Sequence, residues 1–277
     1  MKYGIYEQVV CTLLESQLLD ERYKVETEKI EPEESPRILA KYLSEIIEQG
    51  LCALKDNGGD VADQIRFCNK IISDIAHMTS SDEFESQSVA GKAELLLALL
   101  DRRNSVHAVD DNAKIPRPFT SISQSSLFTG APYEPSIFSE FRAEIQSCDR
   151  IDMLVSFIKF SGLRLIMEEL REFTRTKKLR IITTSYMGAT DPKAIEVLSE
   201  LPNTEIRISY DTKRTRLHAK TYVYYRDSGY STAYVGSSNM SGAAMSDGLE
   251  WNMKITAKDQ PETMRKIEAT FETYWNS

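Results

Sequence analysis

The first hundred residues alternate apolar and polar positions at helical spacing. In "GIYEQVVCTLLESQLL" the apolar residues Ile5, Val9, Leu13, Leu14 and Leu18 recur mainly at four-residue steps. "SPRILAKYLSEIIEQGLCALKD" opens with Ser35 as an expected N-cap and Pro36 at the first helical position, and Asn57-Gly58-Gly59 ends it. "DVADQIRFCNKIISDIAHM" follows with Asp60 as cap and a stripe of Val61, Ile65, Cys68, Ile72 and Ile75. "SVAGKAELLLALLDRR" predicts a fourth helix. Residues 1–112 therefore read as a small all-α domain with no chemistry visible in it.

The pattern then breaks. Pro116, Pro118 and Pro132, among many Ser and Thr, predict a linker over 113–132. From Glu134 the period changes repeatedly between helix and strand. "PSIFSEFRAEIQSC", "GLRLIMEELREFTR", "DPKAIEVLSEL" and "PETMRKIEATFETYW" read as helices. "RIDMLVSFI", "KLRIITTS", "TEIRISY", "LHAKTYVYY", "TAYVGS" and "LEWNMKIT" read as strands. Strands alternating with helices, followed by a hairpin, predict a mixed α/β sheet flanked by helices over 133–277.

Charge sharpens this division. The chain of 277 residues carries −8 overall. Residues 1–112 hold 22 Asp and Glu against 12 Lys and Arg, and the rest 20 against 22. An acidic total argues against wholesale coating of nucleic acid and leaves room for a local basic cleft in the second half. There is no long apolar run, and the first residues lack a signal-peptide pattern, so the expectation is a cytoplasmic protein with no membrane partner. Cys11, Cys52, Cys68 and Cys148 form no CxxC pair, and there are three histidines. No metal site and no cofactor is expected.

The chemistry concentrates in "RLHAKTYVYYRDSGYSTAYVGSSN", residues 216–239. His218 and Lys220 are two apart on an expected strand and so share a face. Asp227-Ser228-Gly229 signals a hairpin turn. The returning strand brings Gly236, Ser237 and Asn239 back toward His218. Gly236 permits close approach of backbone to an anion, and Ser237 and Asn239 add hydroxyl and amide donors. A neutral imidazole can attack phosphorus, with Lys, Ser and Asn stabilising the oxygens as charge develops.

"HAK" followed by "GSSN" resembles the phospholipase D superfamily, with its His-x-Lys-(x)4-Asp and Gly-Ser-x-Asn signature. "RPFTSISQSSLFTG", "SFIKFSGLRLI", "TTSYMGATDPKAIEVL" and the run through "GLEWN" look like the nuclease-like domain at the N-terminus of bacterial DEAD/DEAH helicase fusion proteins. The start, "YGIYEQVV", is similar to those proteins as well. The resemblance implies a phospholipase-D-like fold preceded by a small all-α domain. It implies metal-independent cleavage of nucleic acid, DNA in the first instance, through a phosphohistidine. His218 matches the nucleophile, Lys220 the phosphate-binding lysine, Ser237 and Asn239 the donors, and Glu250 an acidic residue that orients the histidine.

Two departures stand out. Tyr225 occupies the aspartate position of the signature, and the chain has one His-x-Lys where the family site uses two. The single motif implies a homodimer through this domain, with two copies of His218 at one site. A helicase domain in cis or trans, and a role in restriction or phage defence, follow from the resemblance alone. Lys159 and Ser156 end a strand where ligands meet α/β sheets. Arg214 and Arg216, with Arg207 and Lys213, form a basic cluster before His218. These four, Lys159, Ser156, Arg214 and Arg216, are the expected substrate-binding residues. The rival readings are a nucleic-acid-binding module without catalysis and a lipid phosphodiesterase.

Overall fold

The computed structural model describes residues 4–19, 24–100, 114–210, 217–245 and 250–277. The chain divides into two compact units, Met1–Leu99 and Leu100–Ser277. No helix among the described residues is long and apolar enough to cross a membrane.

The first unit holds helices α1 (Thr12–Leu18), α2 (Ser35–Asp56) and α3 (Val61–Thr79). The α2–α3 turn follows its sequence. Gly58 takes φ +85°, the Gly59 N–H returns to the Leu54 carbonyl at 2.9 Å, and Asp60 and Asp63 cap each other's amides at 2.9 Å. Three expectations fail here. Ser35 is the first residue of α2 rather than its cap, and its hydroxyl donates to the Pro32 carbonyl at 3.0 Å. Residues 5–10 lie outside α1, and residues 88–100 form no α-helix, so the described part of the expected fourth helix is irregular. Leu95, Leu96, Leu97 and Leu99 are exposed. A short apolar helix gains stability from the surface it packs on, and these leucines have none. Among the described residues of this unit only Ala76 is buried.

The second unit is a seven-stranded sheet. Its strands are β1 (Ser126–Phe128), β2 (Arg150–Val155), β3 (Lys178–Thr184), β4 (Thr204–Ser209), β5 (Lys220–Tyr225), β6 (Thr232–Gly236) and β7 (Asn252–Thr256). The spatial order is β1-β7-β6-β5-β2-β3-β4. The pairs β2–β3 and β3–β4 are parallel; the other four are antiparallel. The mixed α/β sheet expected from the pattern is the observed fold. The segment expected as a linker differs: β1 pairs with β7, and the Glu140 carboxylate accepts the amides of Phe119 and Thr120. Strand β7 would otherwise be an open edge, and β1 covers it.

Helices cover both faces. On one lie α4 (Ile137–Ser147), α5 (Phe160–Leu163), α6 (Met167–Thr174) and α7 (Pro192–Ser199), packed on Ile151, Met153, Tyr222, Tyr224 and Tyr234. Helix α8 (Gly242–Met245) follows β6, and α9 (Pro261–Trp275) packs on the opposite face against Leu154, Ile182, Val223 and Tyr225. Strand alternation divides β5 accordingly, with Tyr222 and Tyr224 facing α4 and Val223 and Tyr225 facing α9. Tyr222, Tyr224 and Tyr234 are packing residues, at most 1% exposed, rather than base-stacking ones.

A buried charge cluster holds α4 to three strands. Lys254 of β7 lies 2.9 Å from Glu140 and 3.1 Å from Glu144, and all three are fully buried. Arg226, just after β5, reaches Glu144 at 2.6 Å. Tyr234 and Thr232 of β6 donate hydroxyls to Glu144 at 2.8 and 2.9 Å. Burial alone would raise the Glu144 pKa, but Arg226 and Lys254 outweigh it and hold the carboxyl below the usual range. That stabilisation is complete above the unfolded carboxylate pKa and is lost as pH falls through the lower folded value. Lys254→Met would leave two buried carboxylates facing one cation. The expected cost is about 3–5 kcal/mol of unfolding free energy in urea titration, partly restored by adding Glu140→Gln. An unchanged midpoint would show that the cluster does not hold the fold.

Candidate active site

The site lies where four strand ends meet. Val155 at the end of β2 pairs with Lys220 at the start of β5, and Gly236 at the end of β6 pairs with Asn252 at the start of β7. Between them the register Thr221↔Val235 sets Lys220 and Gly236 at the same level. The loops after β2 and β6 are joined by a parallel bridge, Ile158↔Met240, and by the Lys159 N–H to the Met240 carbonyl at 2.7 Å. Gly162 makes this approach possible, since a Cβ there would lie 2.5 Å from the Ser241 nitrogen.

His218 is exposed and Lys220 is 7% exposed. The Lys220 Nζ lies 3.0 Å from His218 Nδ1 and 3.1 Å from Nε2, and donates to the His218 carbonyl at 2.9 Å. An ammonium facing an imidazole requires an unprotonated ring nitrogen as acceptor. Burial lowers the Lys220 pKa, and the negative charge of Glu250 opposes that shift.

On the neighbouring strands, Ser237 donates its hydroxyl to Glu250 and accepts the Trp251 N–H at 3.1 Å. Asn239 is 9% exposed, and its Oδ1 accepts the Phe157 N–H at 3.3 Å. That fixes the amide orientation and leaves Nδ2 without a protein partner among the described residues. Glu250 thus pairs with Ser237 and acts on Lys220 by charge. Among the described residues it makes no hydrogen bond to His218, unlike the orienting role implied by the resemblance.

Three supporting residues escaped the sequence reading. Asn252 donates to the Ser238 hydroxyl at 2.8 Å, and the Tyr222 hydroxyl donates to the Ser238 carbonyl at 3.1 Å. Asn252 fills the space left by Gly236: a Cβ on Gly236 would sit 2.6 Å from the Asn252 Oδ1 and 2.1 Å from the Trp251 carbonyl. The signal was the Asn two residues after Glu250, legible only once the β6–β7 register is known.

The other candidates divide. Ser156 is buried beside the site, its hydroxyl donating to the Ala219 carbonyl at 3.2 Å. Lys159 pairs with Asp191 at 3.1 Å, and the same carboxylate accepts the Phe160 N–H at 2.9 Å, so Lys159 is engaged in joining loops. Arg214, Arg216 and Lys213 lie outside the described residues. Arg207 is tied to the Trp275 carbonyl and stacks on its ring. Tyr225, in place of the signature aspartate, closes β5 at the end remote from His218. It faces α9 beneath the guanidinium of Arg150, 3.8 Å from its ring centroid. Five residues of strand separate it from Lys220 by about 16 Å, on the opposite face.

Residues 141–275 match the family model described as cardiolipin synthase, phospholipase-D-like domain. No curated protein sequence matches the chain. Among solved structures, NucT from Helicobacter pylori is similar at 22% identity, with TM-score 0.42, over 56% of this chain and 96% of that one. Nuc from Salmonella typhimurium, a phospholipase D family member, is similar at 22% identity and TM-score 0.42, over 55% and 95%. A yeast tyrosyl-DNA phosphodiesterase is similar at 11% identity and TM-score 0.33, over 47% and 31%.

Gly236→Ala tests the junction of β6 and β7. The added methyl must displace the Trp251 carbonyl or Asn252, at an expected cost of about 1–3 kcal/mol in the urea midpoint. A variant as stable as the parent would mean that the strand ends are not packed this closely.

Proposed function

We propose that this protein is a metal-independent phosphodiesterase acting on nucleic acid, DNA in the first instance, with His218 as nucleophile. The observation that carries the reading is the meeting of an exposed imidazole, a buried lysine and the Ser237–Glu250 pair at one end of one sheet. The family match of residues 141–275 supports phosphodiester chemistry.

In the proposed reaction a ring nitrogen of His218 attacks phosphorus and the bond to the leaving oxygen breaks. A proton from a second acid goes to that oxygen. Water then attacks the phosphohistidine, releasing the phosphoryl end and restoring the imidazole. A phosphate oxygen would take over the contact that Lys220 now makes with the ring, and the free Asn239 Nδ2 is suited to another oxygen. Ser237 holds Glu250 in place beside Lys220. With one His-x-Lys in the chain, the second acid is assigned to His218 of another copy in a homodimer. A helicase domain in cis or trans and a part in restriction or phage defence rest on the sequence resemblance, and a cytoplasmic setting on the lack of a long apolar run and of a signal-peptide pattern.

Purified protein and labelled DNA with EDTA test this reading. Cleavage is expected to persist in the chelator and to fall about a thousandfold or more in His218→Ala. A requirement for added magnesium would refute the mechanism, and binding without cleavage, unaltered by the substitution, would mark a binding module. The buried lysine adds a pH signature. Activity is expected to decline at alkaline pH below the ordinary lysine range, as Lys220 loses its proton. Lys220→Arg should weaken activity and remove that decline, and an alkaline limb unchanged in Lys220→Arg would assign it to another group.

A further inference from the structure

A cavity of about 350 Å³ adjoins the site. Glu250 and Asn252 form its shared wall with the catalytic groups, and Ala131, Pro132, Pro135 and Ile137 line another side. That second wall precedes residue 141 and so lies outside the stretch matched by the family model. It is nevertheless well built. The Glu134 carboxylate accepts the amides of Thr129 at 2.7 Å, Gly130 at 3.1 Å and Ala131 at 3.3 Å, and the Thr129 hydroxyl at 3.1 Å. Those bonds, the Thr129 amide first, hold the carboxyl below its usual pKa range, so Glu134 stays anionic. Gly130 takes φ +75°, which the turn requires.

The chemistry of the lining selects its occupant. Two carboxylates and no Lys or Arg among the lining residues make the cavity hostile to a second phosphate. Proline and isoleucine faces suit a flat apolar ring, and carboxylate and amide oxygens suit the amino edge of that ring. Tyr133, carried on the same turn though not part of the lining, is 88% exposed and so available to stack on a ring. We propose that this cavity is a nucleobase subsite that receives the base next to the scissile phosphate and favours bases bearing an exocyclic amino group. The subsite rests on the phosphodiesterase reading for its place in the reaction, though not for its ability to bind a base.

The test pairs substrates with variants of the full chain. The substrates are p-nitrophenyl phosphodiesters of 2′-deoxyadenosine, through the 5′ or the 3′ oxygen, and the matching esters with hydrogen in place of the base. For one of the two linkages the wild type is expected to show a kcat/KM ratio, base over no base, of about tenfold or more. Ala131→Trp, which fills the cavity, should bring that ratio to about one, and Ile137→Ala should lower it less. A ratio near one in the wild type, or one that survives Ala131→Trp, overturns the subsite. Independently of turnover, saturation transfer from protein to the ring protons of 2′-deoxyadenosine should be seen in the wild type and lost in Ala131→Trp, with thymidine giving a weaker signal. If no ester is cleaved, the phosphodiesterase reading fails, and the nucleoside measurement alone decides the subsite: transfer that Ala131→Trp abolishes supports it, and no transfer overturns it.

Discussion

Two carboxylates on α4, Glu140 and Glu144, hold the second unit in register. They receive Lys254 from β7, Tyr234 and Thr232 from β6, and Arg226 from the end of β5, with no access to water. Charges buried this way are tolerated only in matched pairs with their hydrogen bonds complete. A slip of one residue in any of the three strands would turn its charged or hydroxyl group to the α9 face and leave a carboxylate unpaired. The cluster therefore specifies which residues lie level across β5, β6 and β7. His218 and Lys220 at one strand end, and Gly236 and Asn252 at the others, inherit their alignment from it.

Close backbone approach does the rest. Gly236 and Gly162 are both positions where a methyl group would strike main chain, one at the start of β7 and one at the loop after β6. The loops that carry Ser156, Lys159, Ser237 and Asn239 are consequently pressed together, and each polar side chain is turned by a specific partner. The outcome separates groups that hold the site from groups that remain available to a ligand. Ser156, Lys159 and Ser237 are committed to Ala219, Asp191 and Glu250. Among the described residues, the His218 ring, the Lys220 ammonium and the Asn239 Nδ2 are the groups that the proposed mechanism turns to a phosphate.

How much of this the sequence disclosed depends on how local the cause is. The hairpin from Lys220 to Gly236 and the cap at Asp60 rest on neighbouring residues and were legible, whereas the strand expected to include His218 begins only at Lys220. The charge cluster was not, because Glu140 and Lys254 are 114 residues apart and each reads as an ordinary surface charge. The segment 113–132 reads as a linker from its Pro and Ser content, yet β1 and the Thr120 amide are recruited by β7 and Glu140, again through distant partners. The described part of the expected fourth helix is irregular for the converse reason: its leucines carry the right spacing and are exposed. Tyr225 is near Lys220 in sequence, yet along a strand five residues reach the far end and the other face.

The covalent step through His218 is the central claim, and rapid alkaline quench of a single turnover tests it most directly. Peptide mass spectrometry of the quenched protein should find the phosphoryl end of the substrate on His218, accumulating and then decaying as product is released. Turnover with no adduct on His218, or with the adduct on another residue, would contradict the account.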